Sequence, residues 1–119
     1  MDDSRPIFLQ VAESIENDII DGSLEVGAQI PSTNEFAAFH RINPATALKG
    51  VTLLVDEGIV EKRRGIGMFV APGARERLLQ QRRDRFADQY VRPLLTEASK
   101  LGISPAELRG MIAQEATES

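Results

Sequence analysis

Two short segments of this 119-residue chain carry the residue types that bind nucleic acid. Small, polar and cationic side chains near a helix start can meet base edges and phosphates in the major groove. Cations at a hairpin tip can enter the minor groove or pair with phosphates. The predicted contact residues of both kinds are Ser32, Thr33, Asn34, Asn43, Ala45, Thr46, Lys49, Arg63, Arg64 and Gly65.

Capping signals position the first segment. Residues 32–35 read Ser-Thr-Asn-Glu, the spacing of a capping box, and predict a helix over 32–39. Asn43 followed by Pro44 predicts a second helix over 43–56. Because only the tight turn 40–42 separates them, the pair fits a helix-turn-helix, whose second helix lies in the major groove.

Hydrophobic spacing predicts which face of the second helix is buried. We expect a buried set consisting of Leu48, Val51, Leu54 and Val55. We expect an exposed, groove-facing set consisting of Asn43, Ala45, Thr46, Lys49 and Gly50.

Further elements complete a winged helix over residues 1–71. An amphipathic helix is predicted over 7–21 and a short extended piece over 28–30. Two strands, 59–63 and 68–71, flank a glycine-containing loop, because glycine supplies the positive φ that hairpin loops need. The predicted fold is mainly α with a small β-wing: an N-terminal winged helix-turn-helix followed by a C-terminal two-helix dimerisation arm.

The arm is predicted to begin after the break at Pro72-Gly73 and to cover residues 72–119. One long helix over 74–101, kinked at Pro93, precedes a final helix that starts at Ser104-Pro105 and frays after Glu115. The predicted dimer contacts are Leu79, Phe86, Tyr90, Val91, Leu94, Leu95, Leu101, Leu108 and Ile112. Two helices of this length cannot bury such a stripe alone, so a symmetric homodimer is expected.

Composition limits the alternatives. The net charge of −4 is uneven: residues 1–40 hold one basic and eight acidic residues, whereas residues 41–65 hold five basic and three acidic ones. The local positive charge predicts modest, strongly salt-sensitive DNA binding. Cysteine is absent and His40 is the one histidine, so no metal site and no cofactor are expected. An N-terminus without an apolar run and the lack of a membrane-length segment predict a cytoplasmic protein with no membrane partner.

Two alternatives come from other functional classes. Glu13, Glu16 and Asp18 could serve acid–base chemistry in an enzyme, but they lie on the polar face of the 7–21 helix, where solvated carboxylates are expected. His40 follows Phe39, which we expect to be buried, and we predict a structural or surface place for His40 rather than a catalytic one. The other alternative is a helical protein–protein interaction module that binds a partner through the arm and does not bind DNA.

Residues 6–70 resemble the N-terminal domain of GntR-type bacterial regulators. The ordered matching pieces are Pro6-Ile7-Phe8-Leu9-Gln10-Val11, Ile20-Asp21-Gly22-Ser23-Leu24, Gly27-Ala28-Gln29-Ile30-Pro31-Ser32, Glu35-Phe36-Ala37, Ile42-Asn43-Pro44-Ala45-Thr46, Leu53-Leu54-Val55-Asp56-Glu57-Gly58-Ile59-Val60 and Gly65-Ile66-Gly67-Met68-Phe69-Val70. The resemblance implies a winged helix, a homodimer and a palindromic operator. The 48 residues of 72–119 resemble the small YtrA-like branch, in which two helices serve dimerisation and transporter operons are often regulated.

The resemblance also implies which residues meet DNA. Carried over, it favours Ser32, Thr46, Lys49, Arg64 and Gly65 as contacts. The chain departs from the family at Asn34, where an arginine is usual. We therefore expect a sequence-specific, homodimeric transcriptional regulator, a repressor, that binds double-stranded DNA. Any small-molecule effector would bind between subunits or between the arm and the winged helix.

Overall fold

The computed structural model describes residue 1 and residues 4–118 of the chain. Its elements are α1 (Ile7–Ile20), α2 (Thr33–His40), α3 (Pro44–Asp56), β1 (Val60–Arg63), β2 (Gly67–Val70), α4 (Ala74–Phe86), a π-helical turn (Ala87–Val91), α5 (Arg92–Lys100) and α6 (Pro105–Glu118). The chain forms two compact units, Met1–Gln80 and Gln81–Ser119. The predicted fold class is confirmed: helices with a two-stranded wing are followed by C-terminal helices.

The helix starts follow the local capping chemistry. The Ser32 hydroxyl accepts a hydrogen bond from the Glu35 N–H at 3.1 Å, and the Glu35 carboxylate accepts one from the Ser32 N–H at 3.3 Å. The Asn43 side-chain oxygen accepts from the Ala45 N–H at 2.7 Å, and proline occupies the first turn of α3. Between them, Arg41 adopts a left-handed conformation with φ 55° and forms the tight turn. Both predicted helix starts are confirmed.

The core of the first unit lies between α1 and α3. Its largest fully buried side chains include Val11, Ile19, Val51 and Leu54. Gly50 is buried where the two helices meet, since a Cβ there would lie 2.6 Å from the Phe8 carbonyl oxygen. Glycine therefore permits a close helix–helix contact that a larger residue would prevent.

Two predictions about the faces of α3 are wrong. Gly50 is buried rather than exposed, and Leu48 is 47% exposed rather than buried. The face packed inward carries Ala47, Gly50, Val51 and Leu54. Leu48 lies one residue from Ala47, a rotation of about 100° around the helix, and so points away from α1's core contacts. Small residues, rather than the most apolar ones, therefore form part of the buried face.

The wing is an antiparallel pair in which Val60 pairs with Val70 and Arg63 with Gly67. Its turn consists of residues 64–66, so Gly67 belongs to the strand rather than to the predicted loop. The segment 28–30 lies against β2: the Val70 N–H donates to the Ala28 carbonyl and the Ile30 N–H to the Met68 carbonyl, both at 2.9 Å. This segment connects the wing to the chain that leads into α2.

The first turns of α4 belong to the N-terminal unit. Ala74 and Leu78 are buried in its core. The Arg75 guanidinium donates to the Ile20 carbonyl at 3.1 Å, and Arg77 donates to the Gly58 carbonyl at 2.6 Å. Each arginine thus donates to a carbonyl that has no hydrogen-bond partner within its helix. Ile20 is the last residue of α1, and Gly58 follows the end of α3. The first compact unit therefore extends past Pro72-Gly73, where the arm was predicted to begin, and ends at Gln80.

The second unit consists of helices joined by a short turn, and α6 reaches its last described residue. The π-helical turn ends two residues before Pro93, whose missing N–H disturbs regular helical hydrogen bonding. Gly102 ends α5 with φ 71°, and the Ser104 hydroxyl accepts from the Glu107 N–H at 3.1 Å to start α6. The fraying predicted after Glu115 is wrong, because α6 continues to Glu118.

Candidate nucleic-acid interface

Helices α2 and α3 form the predicted helix-turn-helix. Ser32 and Asn34 are exposed at the first turn of α2, and Thr33 is half-buried. The oxygen of Ser32 caps the helix, which leaves its hydroxyl hydrogen available as a donor to a phosphate. This end of α2 therefore presents hydrogen-bond donors and the positive end of a helix dipole, both of which suit an anion.

The start of α3 presents a second set of predicted contacts. Asn43 and Ala45 are exposed, and Thr46 is half-buried. Because the Asn43 oxygen accepts the capping hydrogen bond, its NH₂ group is the part that can donate to DNA. Lys49 is exposed one helical turn further on, and its ammonium lies 4.0 Å from the centre of the Phe8 ring. This cation–π contact holds the charge against α1.

The turn of the wing carries the cationic residues. Arg63, Arg64 and Gly65 are all exposed. The Arg63 guanidinium lies 4.2 Å from the centre of the Phe69 ring and 3.7 Å from the Glu61 carboxylate. Among the described residues, no ion pair or side-chain hydrogen bond involves Arg64. The two arginines thus differ: Arg63 packs along the strand, whereas Arg64 projects from the turn.

Gln29 supports this turn and was missed by the sequence reasoning. Its side-chain amide donates to the Ile66 carbonyl at 3.2 Å. Gly67 lies beside this amide with φ 144°, a conformation that L side chains rarely adopt, which explains why that strand position is glycine. The available signal was its place in the extended piece between Gly27 and Pro31. Gln29 acts as a positioning residue for the wing.

Most of the predicted dimer residues are exposed in the single chain. Those at 38% exposure or more are Phe86, Tyr90, Val91, Leu94, Leu95, Leu101 and Ile112. The rings of Phe86 and Tyr90 lie 5.4 Å apart and form one aromatic surface. Leu79 is half-buried. Leu108 is only 6% exposed, so it packs within its own chain and can add little area to an interface.

Other candidate sites carry little chemistry. Phe39 is 83% exposed, which corrects the expectation that it is buried, and the His40 ring lies 4.3 Å from the Phe36 ring. Glu13, one of the carboxylates considered for acid–base work, forms an ion pair with Arg5. The described part of the chain contains no cluster of residues suited to a metal ion. Within the same residues, no helix is long and apolar enough to cross a membrane.

Comparison with known proteins identifies the family. The model of the bacterial regulatory proteins of the gntR family matches residues 8–70, which is more than half of the chain. The protein belongs to the GntR family. It is therefore a DNA-binding transcriptional regulator with a helix-turn-helix. Family membership, rather than the lack of a suitable side-chain cluster, decides against the enzyme alternative.

Several relatives match this GntR regulator over nearly its whole length. The HTH-type transcriptional regulator YhcF of Bacillus subtilis is 30% identical over 105 residues, covering 88% of this chain and 85% of the relative. The HTH-type transcriptional repressor YtrA of the same organism is 27% identical, covering 93% and 85%. A GntR family transcriptional regulator from Listeria monocytogenes superposes with a TM-score of 0.76 at 28% identity, covering 96% of this chain and 98% of that one. These matches confirm the resemblance to small, YtrA-like regulators, since they extend through the arm.

Proposed function

We propose that this GntR regulator is a cytoplasmic repressor that binds a palindromic operator as a homodimer. In each subunit, α3 would occupy the major groove, and the turn at Arg64 would meet the minor groove or the phosphates. The observation that carries the proposal concerns the predicted contact residues of α2, α3 and the wing. They all belong to one compact unit, and most of them are exposed on it. The similarity to the YtrA repressor supports repression rather than activation.

The DNA part of the proposal is tested by selection from random duplexes. The full-length protein is incubated with a random DNA library, and bound duplexes are amplified over several rounds. We expect an enriched inverted repeat, because the two-fold symmetry of a dimer is mirrored in its site. Enrichment of one unrepeated half-site would contradict the palindrome, and absence of any enriched sequence would contradict sequence-specific binding.

Repression is tested by transcription in vitro. The selected operator is placed across a promoter, and RNA synthesis is measured with increasing protein. Less transcript from this template, with no change from a template that has a scrambled operator, is the expected result. More transcript from the operator template would show an activator.

The homodimer is proposed to form through the apolar stripe of the arm. Leu94 and Leu95 of α5 are 44% and 47% exposed in the single chain, within a surface that also carries Phe86 and Tyr90. Burial of such side chains stabilises association at about 25 cal/mol per Å² of apolar surface. Self-association supplies a partner surface of matching chemistry, and C2 dimers are the commonest soluble oligomers.

A single charged substitution tests this interface. Leu95→Glu should convert a dimer into a monomer in light scattering, because it introduces a carboxylate into an apolar contact. Thr96→Glu, on the next residue of the same helix and also exposed, is the matched control and should remain dimeric. If Leu95→Glu remains dimeric, the interface lies elsewhere. If the unmodified protein is monomeric, the arm is a binding surface for a different protein.

Truncation at Ala71 is a poorer test. It would remove Ala74 and Leu78 from the core of the first unit, together with the hydrogen bonds that Arg75 and Arg77 donate. Any loss of DNA binding would then combine loss of the dimer with loss of the fold. Full-length variants of exposed arm residues separate the two effects.

A further inference from the structure

The exposed face of α3 carries a leucine among small and polar side chains. Ala45, Leu48, Lys49 and Thr52 are exposed and recur at three- and four-residue spacings, so they line one side of the helix. These residues border a shallow groove of about 410 Å³ beside Phe8 of α1. Leu48 lines this groove, and 47% of its surface is exposed. A leucine exposed on the helix that a helix-turn-helix inserts into DNA requires an explanation.

The neighbouring side chains leave Leu48 as the prominent group on this face. Lys49 is held over the Phe8 ring at 4.0 Å, so its ammonium is directed toward α1. Ala45 projects only a methyl group, and Thr52 lies one turn further along the helix. Leucine has no hydrogen-bonding group and cannot pair with a phosphate, so its contact must be with an apolar group. In the major groove, the apolar group that base edges present is the 5-methyl of thymine.

We propose that Leu48, with Ala45 beside it, selects thymine in the operator half-site by packing against the thymine methyl group. The proposal rests on the proposed placement of α3 in the major groove. DNA is the occupant of this face because the face continues from the N-terminal end of α3, where the amide of Asn43 and the hydroxyl of Thr46 supply donors for base edges and phosphates. Part of the sequence specificity thus comes from apolar contact rather than from hydrogen bonds.

The test removes the methyl group and nothing else from the DNA. After the operator has been selected with the full-length protein, each thymine of the half-site is replaced in turn by deoxyuridine, which keeps every hydrogen-bonding group. Affinity is measured by fluorescence anisotropy at fixed salt. At the thymine that Leu48 contacts, we expect binding to weaken about fourfold per half-site, and about fifteenfold when both half-sites are changed.

Two variants assign the effect to the side chain. Leu48→Ala should bind the thymine and uracil operators equally, because the packing partner of the methyl group is gone. Leu9→Ala removes a comparably exposed leucine from α1 and should keep the full uracil effect. Since the uracil substitution is made with the unmodified protein, the result does not depend on the folding of a variant.

Several outcomes would overturn the inference. These are a half-site without thymine, a uracil operator bound as tightly as the thymine operator, and a uracil effect of equal size in Leu48→Ala. The last would place the methyl contact on another residue or in the stiffness of the DNA. Each of them leaves the proposed function intact, whereas failure to select any operator overturns the proposed function itself.

Discussion

The two compact units differ in the burial of their apolar side chains. The N-terminal unit buries a continuous set from α1, α2, α3, the wing and the start of α4. In the C-terminal unit, Ala98 and Leu108 are buried, while the larger apolar residues of the π-helical turn and α5 are exposed. The first unit therefore has a core of its own, as an independently stable domain requires. The second leaves most of its large apolar side chains exposed, and exposed apolar patches are typical of interaction surfaces.

The comparison predicts where a truncated leucine destabilises the fold. Leu78 is 1% exposed in the core of the first unit, and Leu78→Ala should lower the free energy of unfolding by about 2–5 kcal/mol. Leu101, 64% exposed, is the matched control, and Leu101→Ala should leave the free energy of unfolding of the N-terminal unit nearly unchanged. Urea titrations of both variants measure the difference. Equal losses at the two positions would show that the units do not differ in this way.

Two helical glycines sharpen the same contrast. Gly50→Ala should destabilise the first unit by about 1–3 kcal/mol, because the added Cβ would lie 2.6 Å from the Phe8 carbonyl oxygen and 2.7 Å from the Val11 Cβ. Gly110 of α6 has no atom within 4 Å of such a Cβ, so Gly110→Ala should instead stabilise its helix by about 0.5–1 kcal/mol. Denaturant unfolding of both variants measures the sign of the change in the free energy of unfolding. A destabilising Gly110→Ala would indicate that this position packs closely against a partner chain.

Charge changes should affect DNA binding only in the first unit. Arg64→Ala removes a cation at the turn of the wing, and the slope of log affinity against log salt should become shallower by about 2 for a dimer. Arg63→Ala should have a smaller effect, because Arg63 is held by the Phe69 ring and Glu61. Arg85→Ala, on the exposed face of α4 in the second unit, is the control. An equal slope change for Arg63 and Arg64 would contradict the proposed wing geometry.

Asn34→Arg should change the salt dependence in the opposite direction. Asn34 is exposed in the first turn of α2, the helix that crosses the phosphate backbone in this fold. The arginine should tighten binding at low salt and steepen the salt slope by about 2 per dimer, for both operator and scrambled DNA. It should also cost about 0.3–1 kcal/mol in stability, since a cation at a helix N-terminus opposes the helix dipole. An unchanged slope, or a loss confined to the operator, would indicate that Asn34 reads a base.

Much of the site could be read from the sequence because its signals are local. Ser32 with Glu35, and Asn43 with Pro44, define helix starts through bonds within a few residues. The wing followed from the glycines of its turn, although the register moved Gly67 into the strand. Gln29 was missed because its partner, the Ile66 carbonyl, is 37 residues away, and no local pattern marks such a hydrogen bond.

By itself, the sequence determined the order of the elements, their capped starts and the helix-turn-helix with its wing, since those depend on neighbours along the chain. Only the tertiary structure decided which face of α3 is buried. Hydrophobicity assigned Leu48 to the core and Gly50 to the surface, but the close approach of α1 requires a residue without a side chain at Gly50 and leaves Leu48 exposed. Which face is buried depends on the distance between the backbones of α1 and α3. The spacing of residues along one helix does not determine that distance.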